Sequence, residues 1–184
     1  FINSLQSHGD YLLKNHAIYG NHLITEMLAL LKVSILLADK KQAAYWKSYA
    51  LRKLDEQYEK QVYPEGAHKE LSSHYQRVVA LNYQHLLVLL EHSGETELIN
   101  KWKDKVERLW IYFAQIRKPD GYAPLNNDSD LEDVSELLPK TICADYKKNS
   151  STVYFPNAGQ VIFRGDDSAD ARQSWGFFDI GPRG

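Results

Sequence analysis

The segment from His68 to Tyr75 is the part of the sequence densest in groups that bind or transfer protons. It reads His-Lys-Glu-Leu-Ser-Ser-His-Tyr and follows a loop that contains Gly66. Tyr75 is the most informative of these residues, because a cationic neighbour that lowers a phenol pKa from about 10 makes the group a usable proton shuttle. The alternative is structural, since a tyrosine on a helix is more often a core residue with a satisfied hydroxyl.

A second pair of polar residues, Asn21 and His22, follows Gly20 at the start of an apolar run. The first turn of a helix exposes free N–H groups and favours anions, so an amide and an imidazole placed there can hold a carboxylate together. The alternative is an ordinary helix start, in which Asn21 is the N-cap and His22 is a first-turn residue.

Other chemistries find less support in the sequence. The histidines lack metal-ligand spacing and no HExxH or CxxC pattern occurs, so no metal site is predicted. There is also no glycine-rich phosphate loop and no GxSxG nucleophile elbow. Paired carboxylates for glycoside hydrolysis stay open, although the spacing selects no pair. The candidates are Glu65, Glu70, Asp128 and Asp130.

Composition indicates a packed globular protein and excludes several partners. The chain has 184 residues, of which 43% are hydrophobic and 25% charged. Its 22 basic and 24 acidic residues give a net charge of −2, so neither nucleic acid nor an anionic membrane surface is expected as a partner. No apolar run reaches the about 18 residues of a membrane helix. The single cysteine, Cys143, excludes an internal disulfide framework.

The two ends of the chain suggest a longer parent protein. Phe1 is not an initiator methionine, and the first residues do not form a signal peptide. The chain opens in a helical pattern and closes shortly after a strand-like run. We therefore expect this sequence to be a piece of a larger protein.

Four helices are predicted to position the polar residues. Residues 22–38 are apolar on most faces, which is typical of a helix covered on several sides. Asp39 is expected to cap the next helix, with Gln42 in the reciprocal capping-box position. A third helix is predicted from about Ser72 to Glu91, and a fourth spans Ile99 to Ile116 with apolar residues in steps of three and four. The large aromatic residues at helical spacing are predicted to lie in the core: Trp46, Trp102 and Phe113.

Helices joined by short connections are expected to pack as antiparallel hairpins in a bundle, a solenoid or a closed α/α toroid. After Gly121 the sequence becomes polar, and residues 122–150 are predicted to be a connector with a short helix near Leu131–Leu138. Three β-rich segments follow. They are Thr152–Phe155, Gly159–Arg164 and Ser174–Ile180. Helices followed by strands favour segregated layers or domains.

Seven short segments of the chain occur in the order found in a known family. They are Gly20-Asn21-His22-Leu23-Ile24, Pro64-Glu65-Gly66, Glu70 to Tyr75, Pro119-Asp120-Gly121 with Pro124, Asn127 to Asp130, Tyr154 to Arg164, and Phe178 to Gly184. Each segment alone is loose, but the ordered set covers most of the chain from about residue 10 onward. It resembles the heparinase II/III-like polysaccharide lyases and the related alginate lyases.

The resemblance implies a mainly α fold, with antiparallel helical hairpins of an incomplete α/α toroid followed by the first antiparallel strands of a β-sandwich domain. Residues 1–121 would be the C-terminal toroid helices, residues 122–150 a connector, and residues 151–184 the truncated start of the sandwich. The implied partner is an acidic polysaccharide substrate, and from that substrate class we expect a periplasmic or extracellular location.

The chemistry that the resemblance implies is β-elimination at a uronic acid of a heparin-like, heparan sulfate-like or alginate-like polymer. The C5 proton is difficult to remove because the adjacent carboxylate resists further negative charge. Family members neutralise that carboxylate with Asn and His groups, a role that falls to Asn21 and His22. Tyr75 matches the tyrosine that protonates the departing glycosidic oxygen and in some members also acts as the base, and His22 is the alternative base.

The resemblance also implies supporting residues and cofactor needs. Glu70 and His74 match the motif around the tyrosine and are expected to bind substrate or orient the segment. No metal or organic cofactor is required by this reaction, although the sandwich domain of family members can hold a structural metal. Two other functions stay open: a glycoside hydrolase on an α/α toroid, and a non-catalytic glycan-binding or scaffold protein of the same fold.

Overall fold

The structure is a computed structural model that describes residues 1–140, 152–165 and 174–181. Within these ranges the chain forms five α-helices and three β-strands. The helices are α1 (Ile2–Asn15), α2 (Gly20–Leu36), α3 (Ala43–Gln61), α4 (Ser73–His92) and α5 (Thr96–Ile116). The strands are β1 (Thr152–Phe155), β2 (Gln160–Arg164) and β3 (Trp175–Asp179). The mainly α composition with trailing strands agrees with the sequence pattern.

The chain divides into two compact units, which are described separately. The first unit contains Phe1–Gln61 and Leu81–Lys103, and the second contains Val62–Ala80 and Asp104–Gly184. Helices α4 and α5 each contribute residues to both units. The domain boundaries expected near residues 121 and 150 stay a prediction.

Helix α2 forms the centre of the first unit because it is apolar on most of its faces. It packs against both α1 and α3, and seven of its apolar side chains are buried. These are Leu23, Ile24, Met27, Leu28, Leu30, Leu31 and Val33. An aromatic cluster fills the space beside them, in which Tyr83 stacks on Trp102 with ring centroids 5.2 Å apart. Tyr83 also donates a hydrogen bond from its hydroxyl to the Leu54 carbonyl oxygen at 2.9 Å.

The second unit contains an antiparallel sheet in the order β1-β2-β3. Its inner face packs on α5, where the Tyr112 ring meets the Phe155 ring edge to face at 4.8 Å. The Tyr112 hydroxyl donates to Gln160 Oε1 at 2.5 Å, and Gln160 Nε2 donates to Asp179 Oδ2 at 3.0 Å. A chain of hydrogen bonds, buried at Tyr112 and Gln160 and exposed at Asp179, therefore links the helix to two strands.

The structure confirms the four predicted helices and all three strands, and it adds α1. The core assignment of Trp46, Trp102 and Phe113 is also confirmed, because each side chain is buried. No helix in the described ranges is long and apolar enough to span a membrane. Cys143 and residues 141–150 of the connector lie outside the described residues.

Two local predictions were wrong. Asp39 does not cap α3, because turns closed by backbone hydrogen bonds from Lys40 to Leu37 and from Ala43 to Lys40 precede the helix. No helix covers Leu131–Leu138. Asp133 there pairs with Tyr122 in an isolated bridge, and its side chain accepts a hydrogen bond from the Ser135 N–H at 2.9 Å. This aspartate turn offers the backbone an alternative to the helix.

Gly66 is a glycine at which we expect a substitution to be strongly destabilising. Its φ of 93° lies in the left-handed region, and an added Cβ would overlap the Arg108 carbonyl oxygen. We expect Gly66→Ala to lower the free energy of unfolding by about 3 kcal/mol, from backbone strain and overpacking together. Urea denaturation measures the loss.

Gly94→Ala is the matched control for this prediction. Gly94 has a φ of 71° but nothing within 4 Å of an added Cβ, so only the backbone strain of about 1 kcal/mol applies. Equal losses in the two variants would contradict the steric argument.

Candidate functional site

The start of α4 is held by a loop of residues 126–130, which we name the clasp loop. Ser72, the residue before the helix, donates from its hydroxyl to the Asp128 carbonyl oxygen at 2.7 Å. The backbone N–H of Ser73 donates to Ser129 Oγ at 2.9 Å. Free N–H groups at a helix start need such partners, and here a distant part of the chain supplies one of them.

The contact between the clasp loop and the start of α4 has a residue with left-handed backbone conformation on each side. Leu71 (φ 50°) and Asn127 (φ 48°) are the non-glycine residues with positive φ in the described part of the chain. Asn127 Nδ2 donates to the Leu71 carbonyl oxygen at 2.9 Å, and Asn126 Nδ2 donates to the same oxygen at 2.5 Å. Such conformations cost about 1–3 kcal/mol each, persist only where the surroundings impose them, and cluster at functional sites.

Tyr75 projects from the first turn of α4 with a half-buried ring. Its hydroxyl donates to Asp128 Oδ2 at 3.4 Å, and the ring packs edge to face on His74 with centroids 5.2 Å apart. The charge of Asp128, partial burial and the charge of Glu70 together raise the pKa of the phenol. The neighbours that shift this pKa are thus acidic, and a cationic neighbour of the kind that would lower it is not among them. The phenolate form of Tyr75 is therefore disfavoured at this position.

The two residues expected to bind substrate lie beside Tyr75. His74 Nδ1 is 3.3 Å from Asp130 Oδ2 of the clasp loop. The Glu70 carbonyl oxygen accepts a hydrogen bond from Asn127 Nδ2 at 3.4 Å, so its backbone is also tied to this loop. The structure thus brings Glu70, His74 and Tyr75 together at one end of α4. Their roles toward a substrate stay a prediction.

Asn21 and His22 lie in the first turn of α2, in the first unit. The helix begins at Gly20 and its N-cap is Tyr19, which makes no capping hydrogen bond from its side chain. The alternative in which Asn21 is an N-cap is therefore wrong. Asn21 is half-buried and His22 exposed, and within the described residues neither side chain has a hydrogen-bond partner. The Gly20 carbonyl accepts a hydrogen bond from Gln61 Nε2 at 3.3 Å, which holds this helix start against the end of α3.

The predicted residues thus fall into two groups. Asn21 and His22 belong to the first unit, whereas Glu70, His74 and Tyr75 belong to the second. Convergence of the amide, the imidazole and the phenol on one sugar ring stays a prediction. Among the described residues, no group of three or more His, Cys, Asp or Glu side chains is arranged to hold a metal ion.

Gln76 is a structural residue of the site that the sequence analysis did not single out. Its side chain is buried, and its Nε2 donates to the carbonyl oxygens of Gly66 and Leu109 at 2.9 and 3.0 Å. Its Oε1 accepts from the His68 N–H at 2.7 Å. A fully satisfied buried amide fixes its surroundings, so Gln76 fixes the loop that leads to Tyr75. The sequence contained one signal for this role, namely a polar amide at a position on the buried face of the helix.

His68 is buried in the same loop, and burial lowers its pKa from 6.5 to about 4. The folded protein therefore holds a neutral imidazole while the unfolded chain takes up a proton below about pH 6.5. We expect the free energy of unfolding to fall by about 3 kcal/mol as the pH drops from about 6.5 to 4. Urea denaturation across this range measures the slope.

The His68→Gln variant should lose this part of the pH dependence, because it has no titrating group at the position. His92→Gln is the control, since His92 is exposed and should leave the slope unchanged. An unaltered slope in His68→Gln would refute the assignment.

Glu65, one of the four carboxylates considered for hydrolysis, has a structural role. Its two oxygens accept hydrogen bonds from the Asn157 N–H at 2.7 Å, from Asn157 Nδ2 at 2.8 Å and from the Ala158 N–H at 2.9 Å. The carboxylate thus holds the turn between β1 and β2. A catalytic carboxylate must have an oxygen available to the substrate or to water, so the structure gives no support to Glu65 as half of a hydrolytic pair.

Comparison with known proteins gives the class of the chain. A family model described as Heparinase II/III N-terminus matches residues 1–161, and the chain belongs to this family. Among curated relatives, a heparin-sulfate lyase of Bacteroides stercoris is 23% identical over 94% of this chain and 29% of its own length. A heparin-sulfate lyase of Pedobacter heparinus is 28% identical over 87% of this chain and 25% of its own length. The chain thus spans less than a third of these relatives, which is consistent with a piece of a larger protein.

Solved structures confirm the fold class. A heparinase III gene product superposes with a TM-score of 0.80 at 22% identity, covering 97% of this chain and 31% of that one. The heparan sulfate lyase HepC from Pedobacter heparinus gives a TM-score of 0.77 at 23% identity, covering 99% and 31%. The helices followed by an antiparallel sheet therefore form the corresponding part of a heparinase fold.

Proposed function

We propose that this chain is part of a polysaccharide lyase that cleaves a uronic-acid-containing acidic polysaccharide by β-elimination. The observation that carries the proposal is the Tyr75 phenol at the clasped start of α4, where its hydroxyl contacts Asp128 and its ring packs on His74. Relatives named heparin-sulfate lyases support a polymer of the heparin and heparan sulfate class. An alginate-like polymer is the second substrate class to test.

In the proposed reaction Asn21 donates hydrogen bonds to the uronate carboxylate and stabilises the charge that grows on it as the C5–H bond breaks. The electrons of that bond form the C4–C5 double bond, and the C4–O bond to the leaving sugar breaks. Tyr75 transfers its proton to the departing oxygen. Since the acidic neighbours of Tyr75 raise its pKa, we assign the base that takes the C5 proton to His22.

The direct test incubates the full-length protein with heparan sulfate, heparin and alginate. A lyase produces an unsaturated uronate that absorbs in the ultraviolet, together with one new reducing end for each cut. New reducing ends without the absorbance would contradict the lyase proposal and indicate a hydrolase. Binding of the polymer without any cleavage would indicate a glycan-binding or scaffold protein instead.

We also propose a periplasmic or extracellular location for the protein, because a long charged polymer does not cross a membrane unaided. Fractionation of the source cells, followed by immunodetection of the full-length protein, tests this. Recovery in the cytosolic fraction alone would contradict the proposal.

A further inference from the structure

We infer that Asp128 is a positioning residue that aims the Tyr75 hydroxyl and keeps its proton in place until the leaving group arrives. The inference rests on the proposed role of Tyr75 as the acid. Asp128 is distant from Tyr75 in the sequence and lies near the start of α4 because it belongs to the clasp loop.

The backbone of Asp128 is fixed on both sides. Its own carbonyl oxygen accepts the Ser72 hydroxyl at 2.7 Å. The preceding residue, Asn127, is tied to the Leu71 carbonyl by its side chain, and the following residue, Ser129, accepts the Ser73 N–H. An exposed carboxylate on a free loop samples many positions, whereas here the tethered backbone confines Asp128 to the surroundings of Tyr75.

The contact with Tyr75 is long for a hydrogen bond between oxygens. At 3.4 Å, the distance from the Tyr75 hydroxyl to Asp128 Oδ2 is well above the usual 2.5–3.0 Å. The carboxylate therefore orients the O–H without binding it tightly. A glycosidic oxygen that enters hydrogen-bond distance can compete for the proton.

The surrounding charges explain why the proton stays on the Tyr75 phenol before a glycosidic oxygen approaches. The titratable groups that face Tyr75 are Asp128, Glu70 and Asp130, with the His74 ring against its edge. Asp128 has the largest effect among them, and Asp130 lies 3.3 Å from His74. The negative charge of a phenolate would face these carboxylates, so ionisation of the phenol is disfavoured.

An ultraviolet titration of tyrosinate isolates the effect of Asp128 on the free protein. Each of the three proteins (parent, Asp128→Asn and Asp130→Asn) is also prepared with the additional substitution Tyr75→Phe. Subtracting the titration of the Tyr75→Phe form from that of its counterpart leaves the signal of the Tyr75 phenol. We expect Asp128→Asn to move the midpoint of this phenol to lower pH, and Asp130→Asn, two residues along the same loop, to move it less. Midpoints that coincide in the parent protein and Asp128→Asn would overturn the inference.

Kinetics test the positioning role separately. In Asp128→Asn, whose amide oxygen can still accept the phenol, the alkaline limb of the kcat profile should move to lower pH. In Asp128→Ala the orienting acceptor is also lost, and kcat at the plateau should fall by about tenfold more than in Asp128→Asn. Equal plateaus in the two variants would overturn the positioning role. If the full-length protein forms no unsaturated product, the proposed function fails, while the titration still decides the effect of Asp128.

Discussion

Tyr75→Phe is expected to lower kcat of the full-length protein on its uronate polymer by about 10²–10⁴-fold, the usual contribution of general acid catalysis. The substitution removes the transferable proton and keeps the ring, which packs on His74. Binding of the polymer should change little, because the lost interaction with the leaving oxygen forms in the transition state. Formation of unsaturated uronate measures kcat, and calorimetry measures polymer binding.

Tyr154→Phe is the matched control for this loss. Tyr154 lies on β1 and is 58% exposed, and its replacement should leave turnover within about twofold of the parent protein. The Tyr75 hydroxyl makes a single long contact to Asp128, so thermal stability of Tyr75→Phe should match that of the parent. A loss of less than tenfold would exclude Tyr75 as the acid.

Asn21→Ala is expected to lower kcat and kcat/KM together, by about 10²–10³-fold, because removal of one donor to a developing anion costs this much in comparable sites. The half-buried Asn21 amide has no hydrogen-bond partner in the described residues. Alanine is a better helix former than asparagine, so α2 should be retained. Steady-state kinetics with a polymer of defined uronate content checks the result.

Asn15→Ala provides the comparison for Asn21. Asn15 is an exposed residue at the end of α1, and its amide donates to the Tyr11 carbonyl oxygen at 2.9 Å. Its loss should affect stability by at most about 1 kcal/mol and leave kcat unchanged. If both asparagine variants keep the activity of the parent protein, carboxylate neutralisation must come from another group.

The helices could be predicted because their signals are local and strong. The apolar run of α2 and the regular spacing of apolar residues in α5 each specify one element and one buried face. The start of α3 and the region Leu131–Leu138 could not be predicted in this way, since competing turns there involve only one or two hydrogen bonds. Aspartate, which stabilises one such turn at Asp133, is also a preferred residue at helix starts, so its presence does not distinguish the two.

The residues of the site were easier to identify than their surroundings. Tyr75 stood out because it lies in a dense polar segment, and the family resemblance gave it a role. Its acidic partner could not be deduced from spacing, because Asp128 is 53 residues further along the chain. The left-handed Leu71 gives no signal in the sequence either, since leucine is not typical of that conformation.

The bond between Glu65 and the turn before β2 has a consequence during translation. Its partners Asn157 and Ala158 leave the ribosome 92 and 93 residues after the glutamate. Until they emerge, the Glu65 carboxylate has no access to the N–H groups that it binds in the folded protein. Contacts between residues so far apart in the sequence are slow to form. The β-hairpin should therefore dock late, onto helices that are already in place.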